Sequence, residues 1–146
     1  MTDLPDELTL LRQNLAANDV SGRCGEVSVK PCTWGNEEHI SALGTFDVVL
    51  CCDVLYTTDE DTQLALARTM RALCAPNGRV LFSYYFRENV LNHITFFGEV
   101  DELFEDPVKH SLYAEGEEEE GDEEEGRVWL NEYRLPPPSM NGVSVH

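Results

Sequence analysis

The sequence predicts an α/β protein, a doubly wound layer sandwich with helices on both faces of a mostly parallel sheet. Helical and strand patterns alternate along most of the chain, which favours this architecture. The segment FDVVLCCD, from Phe46 to Asp53, has no polar–apolar alternation, and its solid apolar run is typical of a strand covered on both faces. Two further strand patterns, at 108–114 and 127–135, follow in tandem with the acidic segment 115–126 between them, which indicates an antiparallel addition at one edge of the sheet.

The chain begins with a predicted helix over residues 3–19, followed by a short strand pattern over 25–34. Asp3 can cap this helix, and Pro5 suits its first turn. Val27 and Val29 occupy one face of the strand. The helix is amphipathic because four leucines recur at steps of three or four residues: Leu4, Leu8, Leu11 and Leu15.

After the apolar strand, the pattern predicts a second helix over 59–78, a strand over 79–86 and a third helix over 88–104. The second helix has a capping group in Thr57, Thr58 and Asp59, and we expect it to stop at the breaker Pro-Asn-Gly that ends at residue 78. In the third helix, four apolar residues are expected to face inward: Val90, Ile94, Phe97 and Phe104.

Composition and charge exclude several classes of protein. The formal net charge of the 146-residue chain is −18, and the segment 115–126 holds nine acidic residues, so we expect a disordered loop there. A basic footprint for nucleic acid is missing, as is an apolar run long enough for a membrane span. We expect one domain over 1–135 with a flexible tail over 136–146. Five cysteines without a CxxC pair indicate reduced thiols in a cytoplasmic protein, with the nucleus as the second candidate. We also expect a monomer.

Three residues stand where ligands bind in open α/β sheets, beyond the carboxyl ends of strands. Asp53 ends the apolar strand, Trp34 lies in a TWG segment after the preceding strand, and Asp3 follows what would be another strand end. Each has a structural alternative: a loop turn or helix cap for Asp53, a cover for the sheet edge for Trp34, and the helix N-cap for Asp3. On position alone, the alternative is favoured for Trp34 and Asp3.

Four segments together nevertheless resemble one known family. Their order and spacing are similar to those of the seven-β-strand protein-lysine methyltransferases of the methyltransferase family 16 group. The four segments are TDLPDELTLLRQNLAAND, CTWG, FDVVLCCDVLYTTDE and GRVLFSYYFRE. The resemblance runs from Thr2 to Glu88, with a continuation through the last two strands to Leu135. It implies a Rossmann-like class I methyltransferase three-layer sandwich, S-adenosylmethionine as cofactor, and a protein substrate that presents a lysine. The acidic segment 115–126 gives one hypothesis about that substrate, a basic segment that it attracts, whereas the favoured alternative is a tolerated surface insertion.

The resemblance also implies roles for individual residues. Asp3 corresponds to the acidic residue that hydrogen-bonds the cofactor ribose, and Trp34 to the aromatic residue beside the adenine. Leu4, Cys51 and Cys52 are expected to line the cofactor pocket. The segment DVLY, which begins with Asp53 and ends with Tyr56, matches the acidic-x-x-aromatic motif near the target lysine.

The chemistry of lysine methylation suits these two residue types. The attacking amine must be neutral, whereas free lysine has a pKa of about 10.4, so a carboxylate such as Asp53 can orient the ammonium before its proton leaves. An aromatic ring such as Tyr56 attracts the same cation through its face. The reaction needs no metal, and the four histidines are scattered along the sequence, so we expect them to be ordinary residues.

One departure from the family is large. Its glycine-rich turn has no counterpart before Asp3, so we expect this sequence to be a fragment of a longer methyltransferase and its 26–31 strand to lack a partner. Three other functions stay open: a catalytically inactive fold that acts as an acidic protein-interaction module, a methyltransferase of another substrate class, and a nucleotide-dependent dehydrogenase. The TWG and DVLY segments favour the lysine methyltransferase.

Overall fold

The computed structural model describes residues 1–18, 25–85, 90–110 and 128–137 of the chain. The chain divides into two compact units, Met1–Gly44 and Thr45–His146. The single domain expected over 1–135 stays a prediction. The acidic segment 115–126 and the tail from residue 138 lie outside the described residues.

The first unit contains a small parallel sheet and two helices. Its elements are β1 (Thr2–Asp3), a 3₁₀ helix (Pro5–Glu7), α1 (Leu8–Ala17), β2 (Lys30–Pro31) and α2 (Glu37–Leu43). β1 and β2 are paired in parallel, so the expectation that the second strand lacks a partner was wrong.

Helix α1 begins later than the sequence predicted. Asp3 lies in β1, and no side chain caps the start of α1 at Leu8. The predicted N-cap role of Asp3 was therefore wrong, because the residues after it first form the strand end and a 3₁₀ turn. Leu8 is buried, whereas Leu4 is 47% exposed. Only part of the predicted leucine stripe therefore packs against the rest of the protein.

The second unit contains a four-stranded mixed sheet. Its elements are β3 (Phe46–Cys52), α3 (Glu60–Leu73), β4 (Cys74–Tyr85), a 3₁₀ helix (Val90–His93), α4 (Ile94–Leu103), β5 (Val108–His110) and β6 (Val128–Arg134). The strand order is β3-β4-β6-β5. β3 is parallel to β4, while β6 is antiparallel to both β4 and β5, which confirms the predicted antiparallel addition.

Helix α3 follows its sequence signals closely. The Asp59 carboxylate accepts a hydrogen bond from the Thr62 amide at 2.8 Å, which satisfies one of the unpaired donors of the first turn. The helix ends at Leu73, a few residues before the expected breaker, because the chain enters β4 at Cys74. The face that includes Leu66 and Met70 is buried.

The core of this unit is aromatic and lies between the sheet and helix α4. The Phe82 ring stacks on Phe96 with their centroids 5.1 Å apart, and meets Tyr133 edge-on at 6.4 Å. Both phenylalanines are fully buried. Each such pair adds about 0.5–1.5 kcal/mol beyond its buried area, so this cluster fixes α4 against β4 and β6.

An ion-pair network around Glu132, the residue before Tyr133, joins three strands of the sheet. Glu132 on β6 lies 2.6 Å from Arg134, 4.0 Å from Arg79 on β4 and 3.4 Å from His110 on β5. Burial raises the pKa of Glu132, but the hydrogen bond and charge of Arg134, followed by Arg79 and His110, outweigh it and lower the pKa overall. The network therefore connects three strands through one ionised carboxylate.

Two expectations about burial were wrong. Strand β3 was expected to be covered on both faces, yet Phe46, Val48 and Leu50 are 42%, 41% and 73% exposed. Within the described part of the chain, β3 is an edge strand with β4 as its one neighbour. In α4, Ile94 is 67% exposed while Phe96 is buried, because the 3₁₀ turn before the helix shifts the inward face.

Candidate active site

The first group of predicted site residues gathers at one end of the β1–β2 pair. Asp3 lies opposite Pro31 in the parallel register, and the Cys32 amide donates a hydrogen bond to the Asp3 carbonyl at 2.8 Å. Because parallel strands place their carboxyl ends at the same edge, the side chain of Asp3 and the turn that contains Trp34 leave the pair at the same end.

Asp3 presents an exposed carboxylate at this edge. Its Oδ1 accepts a hydrogen bond from the Leu4 amide at 2.8 Å, which fixes the side chain relative to the backbone. A carboxylate has about four acceptor sites, so the group retains capacity for the hydroxyls of a bound molecule. Leu4 next to it is 47% exposed.

Trp34 is held in a tight turn after β2. The Asn36 amide donates to the Thr33 carbonyl at 3.0 Å, and Gly35, the third residue of the turn, has a φ of 76°. A positive φ at that position alone is the signature of a type II turn, which favours glycine. The Trp34 side chain is half-buried. Part of it packs against the protein and part remains accessible to solvent.

His39 anchors this turn, a role that the sequence prediction missed. Its Nδ1 accepts a hydrogen bond from the Thr33 amide at 3.1 Å, and its own amide donates to Oδ1 of Asn36, the N-cap of α2, at 2.9 Å. The neutral ring therefore carries its proton on Nε2. An asparagine three residues before a histidine, directly after TWG, was the signal available in the sequence.

The second group lies at the carboxyl end of β3. Cys51 is half-buried and Cys52 is exposed, and Cys52 Sγ accepts a hydrogen bond from the Ser83 hydroxyl at 3.1 Å. The next residue, Asp53, has a φ of 48°, and its amide donates to the Ser83 carbonyl at 3.0 Å. A left-handed conformation is uncommon outside glycine, although aspartate tolerates it better than most residues, and such strain is concentrated at functional sites.

The segment after Asp53 alternates between exposed and buried side chains. Leu55 is fully buried and fixes the segment to the core, whereas Tyr56 is 70% exposed. The Asp53 side chain is exposed as well. An exposed acidic residue and an exposed aromatic residue thus lie on either side of a buried anchor.

The buried thiols do not contribute a nucleophile. Burial raises the pKa of the Cys32 thiol, and it does the same for Cys74 against an opposing effect of Arg71. A thiol with a raised pKa stays protonated and unreactive at neutral pH. Within residues 1–18, 25–85, 90–110 and 128–137, histidine, cysteine and acidic side chains form no group that could hold a metal ion.

The structure brings the predicted residues together in two sets. Asp3, Leu4 and Trp34 share the first unit, while the second contains the strand end from Cys51 through Asp53 and then Tyr56. Their assignment to cofactor and lysine stays a prediction. Among the described residues, no helix has the length and apolar character needed to cross a membrane.

Comparison with known proteins identifies relatives of the chain. A model of a family described as lysine methyltransferase matches residues 1–103. The protein N-lysine methyltransferase METTL21A of Mus musculus is 32% identical over 113 residues, which is 75% of this chain and 51% of the mouse protein. The protein of the same name from Danio rerio is 32% identical over 87 residues, 60% of this chain and 39% of its own length. The chain therefore spans about half the length, or less, of these relatives.

A solved structure supports the fold. The N-methyltransferase NodS from Bradyrhizobium japonicum WM9 superposes with a TM-score of 0.55 and 17% sequence identity, covering 92% of this chain and 71% of NodS. At this identity the similarity concerns the fold alone, which is the predicted class I methyltransferase fold.

Proposed function

This chain belongs to the lysine methyltransferase family, and we propose that it forms part or all of an S-adenosylmethionine-dependent protein-lysine N-methyltransferase. One observation carries the proposal beyond family membership. Asp53 ends its strand in a left-handed conformation, and three residues later Tyr56 presents 70% of its surface to solvent. A left-handed conformation at a residue other than glycine is the kind of backbone strain that is concentrated at functional sites, and Tyr56 lies three residues from it.

These two residues are suited to receive a lysine side chain. The Asp53 carboxylate attracts and orients the incoming ammonium group by a charge-assisted hydrogen bond. The face of the Tyr56 ring attracts the same cation and guides the apolar stem of the lysine. Holding the amine in line with the methyl group to be transferred accounts for most of the expected rate.

The first unit has the groups that a nucleoside would need. An exposed carboxylate at Asp3 can accept hydrogen bonds from ribose hydroxyls, and the half-buried ring of Trp34 offers a planar face for a purine. Leu4, next to Asp3, is exposed as well. The assignment of Cys51 and Cys52 to the cofactor rests on the family resemblance. The residue types therefore fit S-adenosylmethionine, which when bound supplies an electrophilic methyl group on its sulfonium.

We propose a protein as the substrate, with basic residues near the target lysine. The chain carries a net charge of −18, and a strongly acidic surface accelerates association with basic partners. Charge steering predicts that the apparent KM for a basic substrate rises steeply with salt. A KM that does not change with salt excludes charge steering while leaving the methyl transfer itself in place.

The test is methyl transfer by the product of the complete reading frame that contains these residues, called the complete protein below. It is incubated with S-adenosylmethionine and cell extract, and methylated lysines are identified by mass spectrometry. Asp53→Asn, which retains the shape and removes the charge, serves as the matched control. A folded complete protein that binds S-adenosylhomocysteine but methylates no lysine would point to another substrate class, and one that binds no cofactor would point to the interaction module.

A further inference from the structure

Gln63 is a buried polar residue in an otherwise apolar position of α3. It has no exposed surface, and its face of the helix continues into Leu66, Ala67 and Met70, all buried. An apolar side chain would satisfy the packing there without the desolvation cost of an amide. The presence of an amide therefore requires an explanation from its hydrogen bonds.

The amide of Gln63 connects two separate segments of the second unit. Its Nε2 donates to the Thr57 carbonyl at 3.0 Å and to the Asn92 carbonyl at 2.7 Å. Its Oε1 accepts from the Phe96 amide at 3.2 Å. Both donors and the acceptor of one side chain are thus engaged with backbone groups.

One of these segments is the loop that carries the proposed lysine-binding residues. Thr57 directly follows Tyr56, and the loop between β3 and α3 has no regular secondary structure. Leu55 fixes its middle in the core, and the Asp53 amide fixes its start to β4. The bond from Gln63 to the Thr57 carbonyl fixes the backbone on the far side of Tyr56.

The other segment is the start of α4. The Asn92 carbonyl lies in the 3₁₀ turn, and the Phe96 amide is one of the early donors of α4, which have no partner within their own helix. Gln63 therefore holds the Tyr56 side of the loop and the start of α4 at a fixed separation. A buried, fully bonded side chain of this kind specifies one arrangement of the segments around it.

We propose that Gln63 is a positioning residue for the lysine side of the active site, which it serves by fixing the backbone next to Tyr56 against the start of α4. The proposal rests on the proposed function, because only that function gives Tyr56 a lysine to receive. It predicts that loss of the amide makes the loop more flexible and lowers kcat/KM for the protein substrate. The affinity for the cofactor should change less.

The experiment compares Gln63→Met and Gln63→Glu in the complete protein. Methionine retains the length and removes all three bonds. Glutamate retains an acceptor for Phe96 but supplies at most one proton for two carbonyls. Thr69→Val is the matched control, because Thr69 is another buried polar residue of α3 whose hydroxyl bonds to the Ala65 carbonyl within the same helix.

Hydrogen exchange measured by NMR is the first readout. In Gln63→Met, the amides of residues 56–58 and of Phe96 should exchange at least tenfold faster, while the β4 amides around Phe82 change no more than in Thr69→Val. In Gln63→Glu, the loop amides should accelerate while the Phe96 amide stays protected. Equal acceleration throughout the unit, or an unchanged loop in both variants, overturns the proposal.

Kinetics and binding give the second readout. We expect kcat/KM for the protein substrate to fall at least tenfold in Gln63→Met, with the Kd for S-adenosylhomocysteine changed less than twofold. A parallel loss of both would reveal general destabilisation and refute positioning. Wild-type protein that transfers no methyl group would refute the proposed function instead, and the exchange data would still decide whether Gln63 fixes the loop.

Discussion

Substitutions of Asp53 separate its effect on the free energy of unfolding from its effect on the rate of methyl transfer. With a φ of 48°, this residue lies in a conformation that costs an ordinary L-residue about 1–2 kcal/mol, less for aspartate and asparagine. Glycine removes that cost but adds about 0.5–1 kcal/mol of backbone entropy. We therefore expect Asp53→Gly to be equally stable or up to about 1 kcal/mol more stable, Asp53→Asn to be unchanged, and Asp53→Ala to be about 1 kcal/mol less stable.

The same three variants should all lose activity. A positioned carboxylate that orients the reacting group or takes part in proton transfer is worth about 10²–10⁴-fold in rate, so each variant should fall at least a hundredfold in kcat/KM. Urea unfolding followed by tryptophan fluorescence gives the stabilities, and methyl transfer to a lysine substrate gives the rates. The reasoning is refuted if Asp53→Asn keeps wild-type activity, or if Asp53→Gly unfolds more easily than Asp53→Ala.

Three further predictions concern the turn, the sheet and its ion pairs. His39→Ala removes the acceptor that anchors the turn containing Trp34. Binding of S-adenosylhomocysteine should weaken by about fivefold, the equivalent of one hydrogen bond. His39→Asn supplies a carbonyl acceptor instead and should restore the affinity measured by calorimetry. Gly78→Ala would place a Cβ 2.8 Å from the Phe46 carbonyl oxygen and should cost about 1–3 kcal/mol in urea unfolding, whereas the control Gly98→Ala, with nothing within 4 Å of the new atom, should lose no stability. The lowered pKa of Glu132 contributes stability that is fully present above the ordinary glutamate pKa and is lost as pH falls through the lowered pKa. The free energy of unfolding, measured from pH 7 downward, should therefore depend less on pH in Glu132→Gln than in the wild type. An identical pH profile for both proteins would contradict the ion-pair account.

Most of the longer helices and strands were predictable because their signals are local. Asp59 caps α3 through a bond to a residue three positions away, so the signal lies within a few residues of sequence. The pairing of β1 with β2 was missed because it joins residues about thirty positions apart through strands too short to show a pattern. Helix α2 was missed because its seven residues span scarcely two turns.

Burial was predictable only where the surroundings were known. The apolar run in β3 indicated a covered strand, yet the exposure of Leu50 depends on which elements lie beside it, and a single strand cannot reveal that. The candidate site followed from a resemblance at Asp3, Trp34, Asp53 and Tyr56. The sequence did not predict the residues that position the site, such as Gln63 beside the loop. A buried glutamine cannot be distinguished from an exposed one in sequence.

The most direct test of the central claim is calorimetric titration of S-adenosylhomocysteine into the complete protein, with circular dichroism to verify folding. We expect binding that weakens at least tenfold in Trp34→Ala and in Asp3→Ala and that changes little in Tyr56→Phe, whose ring is assigned to the lysine. A folded protein that binds no S-adenosylhomocysteine, or binds it equally well in all of these variants, would contradict the assignment of this chain to cofactor-dependent lysine methylation through these residues.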